Sequence, residues 1–110
     1  MKRQWNVYAT DSARDIAFLV VSADVVNTLF PYVTVVPVVA RAEGRQIYPI
    51  EAVLPDSFSS DTDTAAASSV VLVHQIRTLK ADRLADHRGS VDDESVRNAV
   101  RDAMTAYFGL

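Results

Sequence analysis

The sequence predicts an α+β fold that is mostly β: a small, strongly curved antiparallel sheet, or an SH3-like barrel, with a C-terminal helix. Three observations predict it. Short runs rich in Val, Ile and Tyr follow one another along the chain, and short polar connections join most of them, as is typical of antiparallel strands. Residues 96–107 instead carry a helical apolar stripe. We expect about five strands in one domain that spans residues 1–110.

The N-terminal region predicts two strands and one helical turn. Residues 5–9 are β-prone, and residues 16–22 are almost continuously apolar, as expected for a strand buried on both faces. Residues 10–15 between them are polar and predict a turn. Residues 24–29 have one apolar side and predict a helical turn that Pro31 ends.

The strongest strand pattern of the chain covers residues 32–40, with Pro37 inside it. Because proline removes a backbone donor, we expect an edge, a bulge or a bend at this residue. After a polar connection, residues 46–54 alternate moderately and predict a further strand that contains Pro49. Residues 55–67 are acidic and rich in Ser, Thr and Ala, and we expect a mobile loop there.

The last strand and the helix follow. Residues 69–75 form an apolar run that ends in His74 and Gln75, with Arg77 close behind, so we expect a buried strand to deliver these side chains to a surface. Ser90 is the predicted N-cap of the final helix, ahead of acids in its first turn. Its apolar stripe must dock on the sheet or on another subunit, because exposure forfeits about 25 cal/mol per Å².

Composition excludes several kinds of site. The chain has no cysteine, and therefore no disulfide framework and no thiolate zinc site. His74 and His87 lack carboxylates at ligand spacing, and we predict neither a metal nor a cofactor. With no signal peptide and no long apolar run, we expect a soluble cytoplasmic protein without a membrane partner. The net charge of −3 disfavours broad nucleic-acid binding but permits a local basic groove.

Arginine, histidine and hydroxyl groups near strand ends suit phosphodiester chemistry without a metal. Cleavage of RNA through its own 2′-hydroxyl needs a base, an acid and a cation for the charge that grows on the phosphate. Histidine moves protons near neutral pH, and arginine binds phosphate through two parallel hydrogen bonds. The structural alternatives are a His74 bonded to a backbone carbonyl and an Arg77 paired with an acid. Arg97 and Arg101 are most simply the solvated face of the last helix.

The chain also resembles the MazF/PemK/CcdB superfamily, the toxins of type II toxin–antitoxin systems. Four ordered segments carry the resemblance: LVVSADVVN at 19–27, VVP at 35–37 with YPIEAVL at 48–54, VVLVHQIRTLKADRL at 70–84, and SVDDE at 90–94 with the closing GL at 109–110. The resemblance implies a curved antiparallel sheet, a homodimer and a cognate antitoxin that wraps its groove. It further implies metal-independent endoribonuclease activity for MazF-like members, and binding of DNA gyrase without nuclease activity for CcdB-like members.

The sequence departs from the ribonuclease pattern at both usual catalytic positions. Where MazF-like enzymes carry Arg-Pro before the second strand, this chain has Ile16-Ala17, and the nearest arginine is Arg14. Where they carry threonine or serine after the V-P-like strand, it has Val38 and Val39. These side chains neither donate a hydrogen bond nor move a proton, so whether the chain is an enzyme stays open at this point.

The first hypothesis is a growth-inhibiting, sequence-preferring RNA endonuclease like the mRNA interferases. Arg14 is its candidate phosphate-stabilising cation and His74 its acid or base. The candidate residues for binding single-stranded RNA are Arg41, Arg45, Gln75, Arg77 and Thr78. The predicted groove lies near His74 and Arg77, bordered by the 11–15 turn and the 41–45 connection, with the acidic 56–63 loop at its rim.

Two alternatives remain open. The short first loop and the ending Phe108-Gly109-Leu110 are more similar to CcdB, whose terminal triplet engages gyrase; a terminal aromatic is also what a docked helix uses for packing. The other alternative is a family member that has lost catalysis and binds only its antitoxin or nucleic acid.

Overall fold

The computed structural model describes residues 1–10, 13–55, 58 and 68–110, with the backbone alone at 13–15. Within these residues, seven strands form one sheet and two α-helices accompany it. The strands are β1 (Asn6–Thr10), β2 (Ala13–Val20), β3 (Tyr32–Ala40), β4 (Glu51–Leu54), β5 (Ser69–Leu72), β6 (Arg77–Lys80) and β7 (Leu84–Ser90). The helices are α1 (Asp24–Leu29) and α2 (Glu94–Phe108), and short 3₁₀ turns occupy Val73–Gln75 and Ala81–Arg83.

The sheet is antiparallel and open. Its strands run in the order β4-β5-β3-β2-β1-β7, and β6 pairs with β3 beside this path. The predicted fold class, a mostly β antiparallel sheet with a C-terminal helix, is therefore confirmed. Of the two predicted forms, the open sheet holds, because the sheet does not close into a barrel. None of the helices in the described residues is long and apolar enough to cross a membrane.

Pro37 lies in β3, which is a central strand. Of the predicted alternatives of an edge, a bulge or a bend, the edge is therefore wrong. It stands opposite Phe18 of β2 on one side. On the other side, β3 pairs with β6 up to Val35 and with β5 from Val38 onward. The residue without an N–H donor therefore lies where the strand changes partner, at little cost in ladder hydrogen bonds.

Several predicted boundaries need correction. β2 begins at Ala13, so the polar residues read as a turn are partly strand. β1 begins at Asn6, because Trp5 has a φ of 68°, outside the β region. β4 begins only at Glu51, and Pro49 lies in the turn before it. The strand expected to carry His74 ends at Leu72.

Strands β6 and β7 were not expected. Most of their residues are polar or exposed, so neither carries the apolar alternation by which a half-buried strand is recognised. They are strands because β3 and β1 supply backbone partners for them. Partners distant in sequence thus override weak local preference.

Apolar side chains pack on both faces of the sheet. One cluster joins Leu19, Val36, Val71 and Leu54 to Val100 of α2. The second cluster comprises Tyr8, Phe18, Val20, Val33, Val35 and Leu84. The expected docking of the C-terminal helix is therefore confirmed, and α2 packs on β4 and the Val73–Gln75 turn.

The N-cap of α2 is Asp93 rather than Ser90. The Asp93 carboxylate accepts hydrogen bonds from the backbone N–H groups of Ser95 and Val96. Ser90 is the last residue of β7, and its hydroxyl donates to Asp92 at 2.9 Å. The hydrogen bond from the Ser95 hydroxyl chiefly, then those from the backbone N–H groups of Ser95 and Val96, hold the pKa of Asp93 below its usual range.

Candidate functional site

Gln75 joins His74 to Arg77 on the surface. Its amide nitrogen donates to Nε2 of His74 at 3.4 Å, and its amide oxygen accepts from Nη2 of Arg77 at 3.4 Å. Nε of Arg77 also donates to the backbone carbonyl of Gln75 at 3.2 Å. All three side chains are exposed. The structure thus brings together an imidazole, an amide and a guanidinium, through a 3₁₀ turn rather than a strand end.

In the contact with Gln75, Nε2 of His74 is the acceptor, because an amide nitrogen only donates. An imidazole nitrogen that accepts a hydrogen bond on an exposed surface can also accept a proton from a substrate hydroxyl, as a general base does.

Arg77 rests on an aromatic ring and has no acid partner in the part of the chain that the structure describes. Its guanidinium carbon lies 5.5 Å from the ring centroid of Phe18. Phe18 belongs to the core cluster on the sheet face opposite α2. The cation–π contact orients the guanidinium without neutralising it, so its charge remains available to an anion.

Further cations follow Arg77 along the same segment. Thr78 of β6 stands opposite Thr34 of β3, and Lys80 and Arg83 are exposed beyond it. Among the described residues, neither Lys80 nor Arg83 forms an ion pair with an acid. Sequence analysis missed both as site candidates. Three cations against the single acid Asp82 within residues 77–83 are the signal that could have pointed to them.

The carboxylate of Glu51 is a further charged group that sequence analysis did not single out. Its side chain is 2% exposed and binds the guanidinium of Arg45 through two parallel hydrogen bonds, of 2.9 and 2.7 Å. The backbone N–H of Tyr48 donates to the same carboxylate at 3.1 Å. The hydrogen bonds from Arg45 chiefly, then the one from Tyr48, hold the pKa of Glu51 below its usual range against the opposing effect of burial. The Glu51 carboxylate in turn raises the pKa of Arg45.

This ion pair lies at the same end of the sheet as His74. Glu51 stands opposite Leu72 in the β4–β5 pair, and Leu72 directly precedes the Val73–Gln75 turn. The 41–50 connection therefore borders the His74 region.

Arg41 begins the connection at the other end of β5. Its backbone N–H donates to the carbonyl of Ser68 at 3.1 Å. Its guanidinium turns along the connection and reaches the carbonyl of Arg45 at 3.5 Å. Arg41 and Arg45 are thus linked, but only Arg45 is bound to an acid among the residues described.

Several other predicted site residues have side chains outside the part of the chain that the structure describes. The backbone of Arg14 belongs to β2, but its side chain lies outside the described residues, as do Asp11, Asp56, Asp61 and Asp63. The expected border and rim of the groove at the 11–15 turn and the 56–63 loop are therefore largely outside the description. No three His, Cys, Asp or Glu side chains of the described residues group as metal ligands would.

The C-terminal triplet closes α2. Gly109 adopts a φ of 72°, and its N–H donates to the carbonyl of Thr105 at 2.9 Å, which is a common way to end a helix. Phe108 is half exposed and packs edge-on against Tyr107, with ring centroids 5.0 Å apart. Leu110 is 89% exposed.

Comparison with known proteins gives one family and many similar structures. The sequence profile of the family described as PemK-like, MazF-like toxin of type II toxin–antitoxin system matches residues 8–107. A comparison with curated protein sequences gives no match.

Three of the similar solved structures cover nearly the whole chain. An endoribonuclease in complex with its cognate antitoxin from Mycobacterial species is 22% identical, with 100% of this chain and 97% of that chain covered and a TM-score of 0.76. An endoribonuclease from Mycobacterial species is 24% identical, with 99% and 92% covered and a TM-score of 0.76. A MazE–MazF structure from Deinococcus radiodurans is 25% identical, with 98% and 96% covered and a TM-score of 0.70. The likeness shows that the fold is shared along its length.

Proposed function

The chain belongs to the PemK-like, MazF-like toxins of type II toxin–antitoxin systems, and from this premise we propose that it cleaves single-stranded RNA without a metal ion. The observation that carries the proposal is the arrangement in which Gln75 joins His74 to Arg77. It supplies a proton acceptor and an unneutralised cation on one exposed surface. As a sequence-preferring endoribonuclease, the protein would inhibit growth by cleaving mRNA.

In the proposed reaction, Nε2 of His74 takes the proton of a ribose 2′-hydroxyl, and the 2′ oxygen attacks the adjacent phosphorus. The O2′–P bond forms as the P–O5′ bond breaks, and O5′ takes up a proton from water. The products are a 2′,3′-cyclic phosphate and a 5′-hydroxyl. Arg77, together with Arg14 of β2, would bind the phosphate oxygens on which negative charge grows.

The distribution of cations supports a local RNA site in spite of the net charge of −3. Arg77 and Lys80 have no acid partner in the described part of the chain, whereas Arg88, Arg97 and Arg101 are paired with acids elsewhere. Thr78 can donate its hydroxyl to a phosphate from the same strand. Unpaired cations thus follow His74 along residues 77–83, and a polyanion could bind there.

A basic arm on the 41–50 connection would extend the site. Arg41 has a free charge among the described residues, and Arg45 is a fixed cation because of its pairing with Glu51. We propose that both contact RNA phosphates, Arg41 as the stronger contributor because no carboxylate neutralises it.

A second copy of the chain is the proposed partner of an exposed apolar surface. Val25, Leu29, Phe30 and Tyr32 expose from 48% to 70% of their surface, and they follow one another through α1 into the start of β3. Tyr32 stands opposite Lys80 of β6. Burying this surface in a homodimer would gain about 25 cal/mol per Å² and would bring two basic segments together. The other proposed partner is a cognate antitoxin that covers the groove in the cytoplasm.

Incubation of the purified protein with a long unstructured RNA in EDTA tests the proposal. We expect discrete fragments that end in a 2′,3′-cyclic phosphate, because the attacking oxygen belongs to the RNA and no metal takes part. Intact RNA at a stoichiometric amount of protein would contradict it.

The exposed C-terminus favours one alternative, a toxin that binds DNA gyrase. Phe108 is 51% exposed and Leu110 89% exposed, so both are available to a partner. Deleting residues 108–110 should abolish toxicity if this alternative holds, while the fold and antitoxin binding persist. Toxicity that survives the deletion would remove it. Loss of catalysis is the remaining alternative, and expression without harm to growth would favour it.

A further inference from the structure

We propose that Tyr48 is a base-stacking residue of the RNA site, held by Arg45 and Glu51 on a rigid arm. The inference rests on the proposed function and adds a contact to the substrate. Tyr48 is 54% exposed and lies in the irregular connection before β4.

Both the N–H and the carbonyl of Tyr48 form hydrogen bonds with Glu51. Its N–H donates to the Glu51 carboxylate at 3.1 Å, and its carbonyl accepts from the N–H of Glu51 at 2.9 Å. Pro49, between them, fixes its own φ near −65°. The turn that carries the exposed ring is therefore closed and stiff.

Arg45 completes the arm from the other side. Its guanidinium holds the buried Glu51 carboxylate through two hydrogen bonds, and Nη1 also donates to the carbonyl of Gln46 at 3.1 Å. An ordinary surface tyrosine needs no such support. A ring that must receive a flat ligand benefits from it, because less conformational freedom is lost on binding.

The chemistry around the ring suits a nucleotide base. Single-stranded nucleic acid is bound by aromatic rings that stack on bases beside cations that contact the backbone. Arg41 and Arg45 precede Tyr48 in the same connection, and Glu51, which binds the backbone of Tyr48, stands opposite Leu72, the residue directly before the turn that carries His74. A base near the cleaved phosphate can therefore stack on Tyr48 while its backbone contacts the arginines.

The test measures binding of a 2′-O-methyl oligonucleotide, which lacks the attacking hydroxyl, spanning a sequence that the wild-type protein cleaves. We expect Tyr48→Ala to weaken binding about tenfold, as the loss of one stacked base does. Tyr48→Phe and Tyr48→Trp should retain wild-type affinity, because the ring and not the hydroxyl makes the contact. Tyr107→Ala, which removes another exposed tyrosine from α2, is the matched control and should bind normally.

A spectroscopic readout separates stacking from a structural role. 2-Aminopurine is introduced at each position of the oligonucleotide in turn. At one position, its fluorescence should be quenched by the wild-type protein and by Tyr48→Phe and Tyr48→Trp, but not by Tyr48→Ala. In cleavage assays, Tyr48→Ala should raise KM more than it lowers kcat.

The outcomes distinguish this inference from the proposed function. If the wild-type protein neither binds nor cleaves RNA, both fail. If the wild-type protein cleaves RNA and Tyr48→Ala binds as tightly, the inference alone fails. Equal losses in Tyr48→Phe and Tyr48→Ala would also overturn it, as would an effect of Tyr48→Ala on antitoxin binding alone.

Discussion

The guanidinium of Arg45 and the carboxylate of Glu51 meet through two parallel hydrogen bonds, and the Glu51 side chain is 2% exposed. A buried carboxylate is tolerated only when hydrogen bonds and an opposite charge replace its water. Here both come from residues of the connection before β4. The pair therefore binds an otherwise irregular segment to the edge of the sheet.

Replacing Glu51 with glutamine should lower the free energy of unfolding at neutral pH. It should also make the free energy of unfolding less dependent on pH in the acid range. Because folding lowers the pKa of Glu51, its contribution is fully present above the unfolded value of about 4.3 and is lost as pH falls from there through the folded value. We expect the free energy of unfolding to drop by about 1–3 kcal/mol at pH 7. Urea denaturation between pH 3 and 7 measures both effects.

Glu43→Gln is the matched control, because Glu43 is an exposed acid of the same connection. It should leave the profile unchanged. Wild-type and Glu51→Gln proteins with parallel profiles from pH 7 to pH 3 would show that this carboxylate contributes no pH-dependent stability.

Replacing His74 with alanine should abolish most of the cleavage while leaving RNA binding nearly intact. Removal of a general base typically costs about 10² to 10⁴ in rate. Single-turnover cleavage of RNA measures the chemical step directly. His87→Ala is the control, because His87 is exposed on β7 and its Nε2 donates to Oδ1 of Asn6 at 2.7 Å. A His74→Ala protein that cleaves at the wild-type rate would exclude the proposed base.

Some elements were predictable because their local pattern and their final environment agree. The strand Tyr32–Ala40 and the helix Asp24–Leu29 have the predicted bounds. The first is a long run of β-branched residues, and the second is closed by Pro31 two residues after its last turn.

The site was less predictable because its parts depend on contacts that sequence periodicity does not encode. His74 and Gln75 were expected on a strand, but Ile76 bonds back to the carbonyl of Val73 and turns the chain. The burial of Glu51 depends on Arg45, six residues earlier in an irregular segment. Charged residues in such a segment are usually solvated, so sequence alone gives no reason to pair these two.

Replacing Arg77 with alanine should weaken RNA binding and make it less sensitive to salt. Each phosphate contact on single-stranded nucleic acid contributes about 0.7 to the slope of log K against log salt concentration. We expect the slope to fall by about this amount, because Arg77 has a free charge among the described residues. Titration of the 2′-O-methyl oligonucleotide at several salt concentrations measures it.

Arg101→Ala supplies the comparison for Arg77, since Arg101 is bound to Glu94 at 2.7 Å and to Asn98 on α2. Its loss should leave the slope unchanged. Equal slopes for wild-type and Arg77→Ala proteins would mean that Arg77 contacts no phosphate. A retained slope in Arg77→Lys with weaker binding would indicate that the flat, two-pronged shape of the guanidinium matters as well as its charge.

Replacing Leu29 with glutamate should convert the proposed homodimer into a monomer. Leu29 is 70% exposed in the single chain, so a charge there is solvated in the monomer, but it would have to be buried in the dimer. Sedimentation equilibrium measures the change, and the melting temperature at low protein concentration should stay that of the wild-type monomer. Leu110→Glu is the matched control, because Leu110 is still more exposed but lies at the end of the chain beyond α2. If both Leu29→Glu and Leu110→Glu remain dimers, the two copies meet through a surface other than α1.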